Sequence, residues 1–156
     1  MSSLAPVVQN VAGVMSPDEG ELLRWLEYAA KHVGASGEVT LRLVDLAESQ
    51  DLNSRFRGRD APTNVLSFGT DQLPGMVEYG QPAILGDIVI CVPLVSFEAQ
   101  QQGKGEKDHW AHLIVHGLLH LVGYDHERSE RDAAEMEALE RAILAEFGVP
   151  DPYGDE

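Results

Sequence analysis

The chain has 156 residues, 44% of them hydrophobic, which is enough for one domain with a substantial core. Its formal net charge of −15 excludes tight binding to nucleic acid over the whole surface by charge alone. No apolar stretch approaches ~20 residues, so no membrane span is expected, and the single cysteine, Cys91, excludes an internal disulfide and fits a reducing compartment.

Residues 4–15 are fairly apolar, but they lack a basic leader and are broken by Gln9 and Asn10. They read as a first strand rather than a secretion signal. Ser16-Pro17-Asp18-Glu19 reads as a helix start, with Ser16 as N-cap and Pro17 at the first helical position. Leu22, Leu23, Leu26, Ala29, Ala30 and Val33 follow at helical spacing, and Gly34 is the stop. Val39, Leu41 and Leu43 alternate with Thr40 and Arg42, as in a strand. A short helix is expected over residues 46–53, a polar loop over 55–64 and a strand over 65–68. Residues 69–85, rich in Gly and Pro, form the longest irregular stretch, and loops of that length are often functional. A third central strand covers residues 85–91, with Cys91 as a small buried side chain.

Pro93 opens a helix that runs to Gln102, and Gly103 and Gly105 separate it from a helix over residues 107–122. Ser129-Glu-Arg-Asp132 resembles a capping box and starts the last helix. Its buried stripe is Met136, Leu139, Ile143 and Phe147, and Gly148 with Pro150 ends it. The acids around that stripe, Glu140 among them, read as a solvated helix face, followed by a polar tail from about residue 150. Helices interleave with a few strands without a doubly wound βαβ rhythm. The expected fold is α+β: a single domain over residues 1–156, with a small mixed sheet covered by helices and a zincin-like metal helix.

That helix carries His109, His112, His116 and His120, and His126 follows. His116 and His120 share a helix face about one turn apart. Gly123 can take φ > 0, end the helix and let His126 return to the same point. Three imidazoles with no fourth strong ligand suit one catalytic zinc with an open position, though nickel or another divalent ion also binds imidazole. A set of His112, His116 and His120 is disfavoured, because its outer members stand about 12 Å apart along the axis. His109 and His112 read as packing residues or partners of the ligands. Asp125 is the nearest carboxylate in sequence and reads as an acceptor for a histidine N–H. The spacing is that of the long zincin signature, H-E-x-x-H-x-x-G-x-x-H, but Gly117 replaces the peptidase glutamate.

Arg55, Arg57 and Arg59 alternate around Phe56, which is unusual in so acidic a chain. Guanidinium groups bind phosphate bidentately and stabilise charge developing on it. With Lys104 and Lys107 they are expected to form a local positive cleft, with the acidic last helix facing away.

Leu52-Asn53-x-x-Phe56-Arg57, Pro62-Thr-Asn-Val-Leu-Ser-Phe68, Gly86-Asp87-Ile88 and His116-x3-His120-x2-Gly-Tyr-Asp-His126 together resemble the YbeY family of bacterial endoribonucleases, and Asp151-Pro-Tyr153 fits too. The resemblance implies zinc held by His116, His120 and His126, with His116 and Arg57 in the catalytic centre and RNA met by Arg55, Arg57 and Arg59. It implies a single-strand-specific RNase of the cytoplasm. Its partners would be precursor ribosomal RNA, the small ribosomal subunit and ribosome-associated proteins, in 16S rRNA 3′-end maturation and ribosome quality control. Thr63 and Ser67 read as turn and strand-end hydrogen-bonding residues within these motifs. Two other readings share some of the motifs: a zinc peptidase, which Gly117 opposes, and a ribosome-assembly factor with a structural metal.

Overall fold

The computed structural model describes residues 4–10, 17–69, 84–124 and 129–153. Within them the order is β1 (Leu4–Asn10), α1 (Glu19–Val33), β2 (Gly37–Val44), α2 (Leu46–Arg57), β3 (Val65–Gly69), β4 (Ile84–Cys91), α3 (Val92–Gln102), α4 (Glu106–Leu121) and α5 (Glu130–Ala145). The strands form one sheet in the order β1-β2-β4-β3. β1 and β4 run parallel to β2, whereas β3 is antiparallel to β4 and lies at the edge. β1, α1 and β2 make one parallel crossover unit, and antiparallel β3 breaks that rhythm, giving the expected mixed α+β sheet.

The apolar run of β4 reflects burial on both faces. Ile88 and Ile90 join Leu41, Leu43, Trp110, Ile114 and Leu118 in the larger core. Val89 and Cys91 point the other way, with Val44, Leu66 and Phe68, under Leu52 of α2 and Leu94 of α3. Cys91 is therefore the buried strand residue expected. The larger cluster takes residues from α1, α4 and α5, and α4 is apolar around most of its circumference because it packs between the other helices and the sheet. No described helix is long and apolar enough to cross a membrane.

Two expected helix boundaries change. α1 is capped by Asp18, whose carboxylate accepts the Gly20 N–H at 3.1 Å, so Pro17 precedes the cap rather than opening the helix. Ser16 lies outside the described residues, as do 11–15 of the expected first strand and 70–83 of the long loop. α2 does not stop at Asn53. Nothing in Ser54-Arg-Phe-Arg57 breaks a helix, and the cap comes at Gly58, with φ 71°. Asn53 is buried and donates to Ala61 O at 2.8 Å, tying down the following loop instead of ending the helix. Arg55 and Arg57 thus occupy the last helical turn and not a loop. α5 begins as expected, with Ser129 Oγ accepting the Asp132 N–H at 3.1 Å. Its acids do not all face solvent: Glu140 lies fully buried beside Met136 and Ile143.

Candidate active site

α4 places its histidines at helical intervals along one side. The rings of His116 and His120 have centroids 4.8 Å apart, and those of His112 and His116 are 6.0 Å apart. The helix ends as the glycine predicts: Gly123 has φ 105°, and the Tyr124 N–H turns back onto Leu119 O at 3.0 Å. His126 and Asp125, the expected third ligand and hydrogen-bond acceptor, lie outside the described residues.

A carboxylate does sit against His116, and it comes from α5. Glu140 Oε2 is 2.5 Å from His116 Nδ1, while Oε1 stands 3.5 Å from His112 Nε2 and accepts the Tyr153 hydroxyl. The Tyr153 oxygen is also 3.3 Å from His112 Nε2. Burial pushes the Glu140 carboxyl up. Hydrogen bonds from His112 and His116, the charge of His116 and the Tyr153 hydroxyl outweigh it and hold the group at about 2. The Tyr153 phenol is raised by burial and by donating to that carboxylate. Glu140 is therefore an ionised, buried acceptor. Its place was readable from spacing, since it shares a helical stripe with Met136 and Ile143.

His112, His116 and Glu140 offer ligand atoms that all lie within 4.8 Å of one another, so this cluster could hold a metal ion. The donor chemistry fits a divalent cation: imidazole nitrogens backed by a charged carboxylate.

The basic half lies across the edge strand. Arg57 Nη2 donates to Ser67 O at 2.8 Å and Nη1 to Phe56 O at 3.2 Å, with the guanidinium 5.0 Å from the centre of the Phe68 ring. Ser67 Oγ in turn donates to Gly117 O, next to His116, at 2.9 Å. One chain of contacts thus runs from Arg57 through β3 to the histidine helix. Arg55 is engaged differently: it pairs with Asp51 at 3.2 Å and lies over Phe56. The described contacts of Arg59 are those of its backbone N–H with Asn53 O and its carbonyl with the Ala61 N–H. Of the expected lysines, Lys107 pairs with Glu21 of α1 at 3.1 Å.

Gly117 has a packing cause. A Cβ there would stand 2.8 Å from Ile88 Cγ2 and 3.3 Å from Ser67 Oγ, so α4 lies directly on β3 and β4 at that point. A glutamate at this position would be driven into the sheet. The Pro62–Phe68 motif is fastened similarly. Ser49 Oγ donates to Thr63 O and accepts the Thr63 N–H, at 2.8 and 2.9 Å, and Asn64 donates to Glu98 at 3.0 Å.

A family model described as Endoribonuclease YbeY matches residues 15–148. A protein of Halorhodospira halophila named Endoribonuclease YbeY is 53% identical over 154 residues, covering 98% of each chain. One of Pseudomonas entomophila with the same name is 48% identical over 96% of this chain and 92% of its own. A Thermotoga maritima protein solved in solution shares the fold, with a TM-score of 0.55 at 24% identity, over 96% of this chain and 100% of that one. The chain belongs to the family described as Endoribonuclease YbeY.

Proposed function

We propose that this protein is a zinc-dependent, single-strand-specific endoribonuclease. Its work would be small-subunit (16S) ribosomal RNA 3′-end maturation and ribosome quality control in the cytoplasm. His116, His120 and His126 are the proposed ligands of one zinc, and Arg57 is the proposed phosphate-binding group. The observation that carries this reading is the Arg57–Ser67–Gly117 chain of contacts. It sets a guanidinium beside the helix whose adjacent histidines are backed by a buried carboxylate. Family membership supplies the reaction class.

When bound, the ion supplies Lewis acidity to the site. The chain's own residues do the rest. Glu140 holds the His116 ring with Nδ1 protonated. Arg57 spends part of its fork on Ser67 O and Phe56 O, which fixes the guanidinium plane and leaves its other N–H groups for a phosphodiester. There it offsets negative charge that grows as the phosphate is attacked.

Cleavage of single-stranded against duplex RNA, with metal content measured on the same samples, tests the reading. His120→Ala is expected to lose both metal and cleavage. Arg57→Glu is expected to keep the metal and lose turnover. Normal cleavage by Arg57→Glu would sink the phosphate role, and RNA affinity that does not fall with added salt would do the same.

A further inference from the structure

We propose that Glu140 is the positioning residue of the metal centre, aiming the His116 ring, and that Tyr153 locks Glu140 in place. The proposal rests on the metal reading above. Glu140 is fully buried on α5: Oε2 takes His116 Nδ1 at 2.5 Å, and Oε1 takes the Tyr153 hydroxyl and stands 3.5 Å from His112 Nε2. Two ligands of one tetrahedral zinc stand about 3.3 Å apart, given metal–nitrogen distances of about 2.0–2.1 Å. At 2.5 Å, His116 and Glu140 are bonded to each other, with no room for an ion between those atoms. Such a carboxylate fixes the histidine tautomer, stops the ring from turning and makes the other nitrogen a stronger donor.

The outer layer is a short latch after α5. Asp151 accepts the Tyr153 N–H at 2.8 Å and Arg141 Nε at 2.9 Å, and the Arg141 guanidinium lies over the tyrosine ring. The latch sets the phenol so that Glu140 keeps one orientation.

The test measures zinc affinity of the purified full chain by competition with a chromophoric chelator, beside the melting temperature of the metal-free protein. Glu140→Leu fills the volume without an acceptor and is expected to weaken zinc by about 10–100-fold. Glu140→Gln keeps an acceptor oxygen without the charge and should fall between it and the native protein. Tyr153→Phe should weaken zinc by a few-fold and lower metal-free melting slightly, since it strips one donor from the buried carboxylate. At saturating zinc, Glu140→Gln should regain RNA cleavage with the native KM.

Native zinc affinity in both Glu140 variants would overturn the proposal. If Glu140→Leu does not fold, Glu140→Gln alone decides. A raised KM with lowered metal-free melting would make Glu140 a folding residue and also overturn it. So would a cobalt(II) spectrum showing a changed coordination number in Glu140→Gln, since Glu140 would then be a ligand. If instead the native chain binds no zinc, or His120→Ala keeps it, the metal reading itself has failed.

Discussion

Helix α4 carries two histidine–carboxylate pairs about two turns apart, and their differences separate a core histidine from a site histidine. His109 meets Glu98 of α3 through Nε2 at 2.9 Å, and His116 meets Glu140 of α5 through Nδ1 at 2.5 Å. The His109 side chain is 4% exposed, and its Nδ1 is buried without a hydrogen-bond partner among the described residues, whereas the His116 side chain is 17% exposed and its ring meets that of His120. On the proposed ligand set, pairing with a carboxylate does not by itself make a ligand; the two pairs differ in which nitrogen is paired and in how exposed the ring is. The first pair also holds Asn64 through Glu98, so it ties α3, α4 and the start of β3 together.

The sharpest way to break this contrast is to remove each imidazole in turn. His116→Ala is expected to lower RNA cleavage by about a hundredfold or more, with loss of zinc. His109→Ala should leave cleavage per folded molecule within about threefold. Equal losses in initial-rate assays would mean that the two pairs serve one centre. Stability should split the other way. His109→Ala leaves a buried hole and strips a partner from Glu98, at a cost of about 1–3 kcal/mol in urea unfolding.

Gly117 sharpens the same contrast from the sheet side. Gly117→Ala puts a methyl against Ile88 and should destabilise by about 1–3 kcal/mol, because a β-branched neighbour on a central strand yields little. Gly117→Glu should fold worse still and gain no peptidase activity. A well-folded Gly117→Glu that hydrolyses peptides in a chelator-sensitive way would contradict the packing account.

The strands and helices could be read from the sequence wherever local pattern and burial agree, as in the run of β4 or the Ser129 cap. The pairing of His116 with His120 and the turn at Gly123 could be read too, since both depend on local geometry. What escaped was non-local. Glu140 sits at stripe spacing with Met136 and Ile143, so its burial was legible, but its partner is a histidine 24 residues away in sequence. Ser67 and Gly117 meet across 50 residues, so the cause of the missing glutamate lay in sheet packing rather than in the motif. Arg57 moved from loop to helix because the end of α2 is set by Gly58, and a buried Asn53 looks the same in sequence as a terminating one.

The smallest expected effect is a pH dependence from the core pair. Burial lowers the pKa of His109 below its ordinary 6.5, against the opposing pull of Glu98. The folded chain therefore keeps His109 neutral in a range where the unfolded chain has already taken up a proton. More protons bind to the unfolded state there, so stability rises with pH across that window. It is fully present above 6.5 and is lost as pH falls from 6.5 toward the lowered folded value. One such group contributes a slope of at most about 1.4 kcal/mol per pH unit. Glu140 acts in a separate range: held at about 2 against an ordinary 4.5, it loses its contribution only as pH falls below 4.5. Urea unfolding of the metal-free protein between pH 7.5 and about 5 covers the first limb, and the difference between native and variant isolates the part due to His109. His109→Gln, which can still donate to Glu98 but does not titrate, should flatten it. An unchanged slope in that variant would show that burial of His109 does not set the acid limb, and would weaken its assignment as the sealed member of the two pairs.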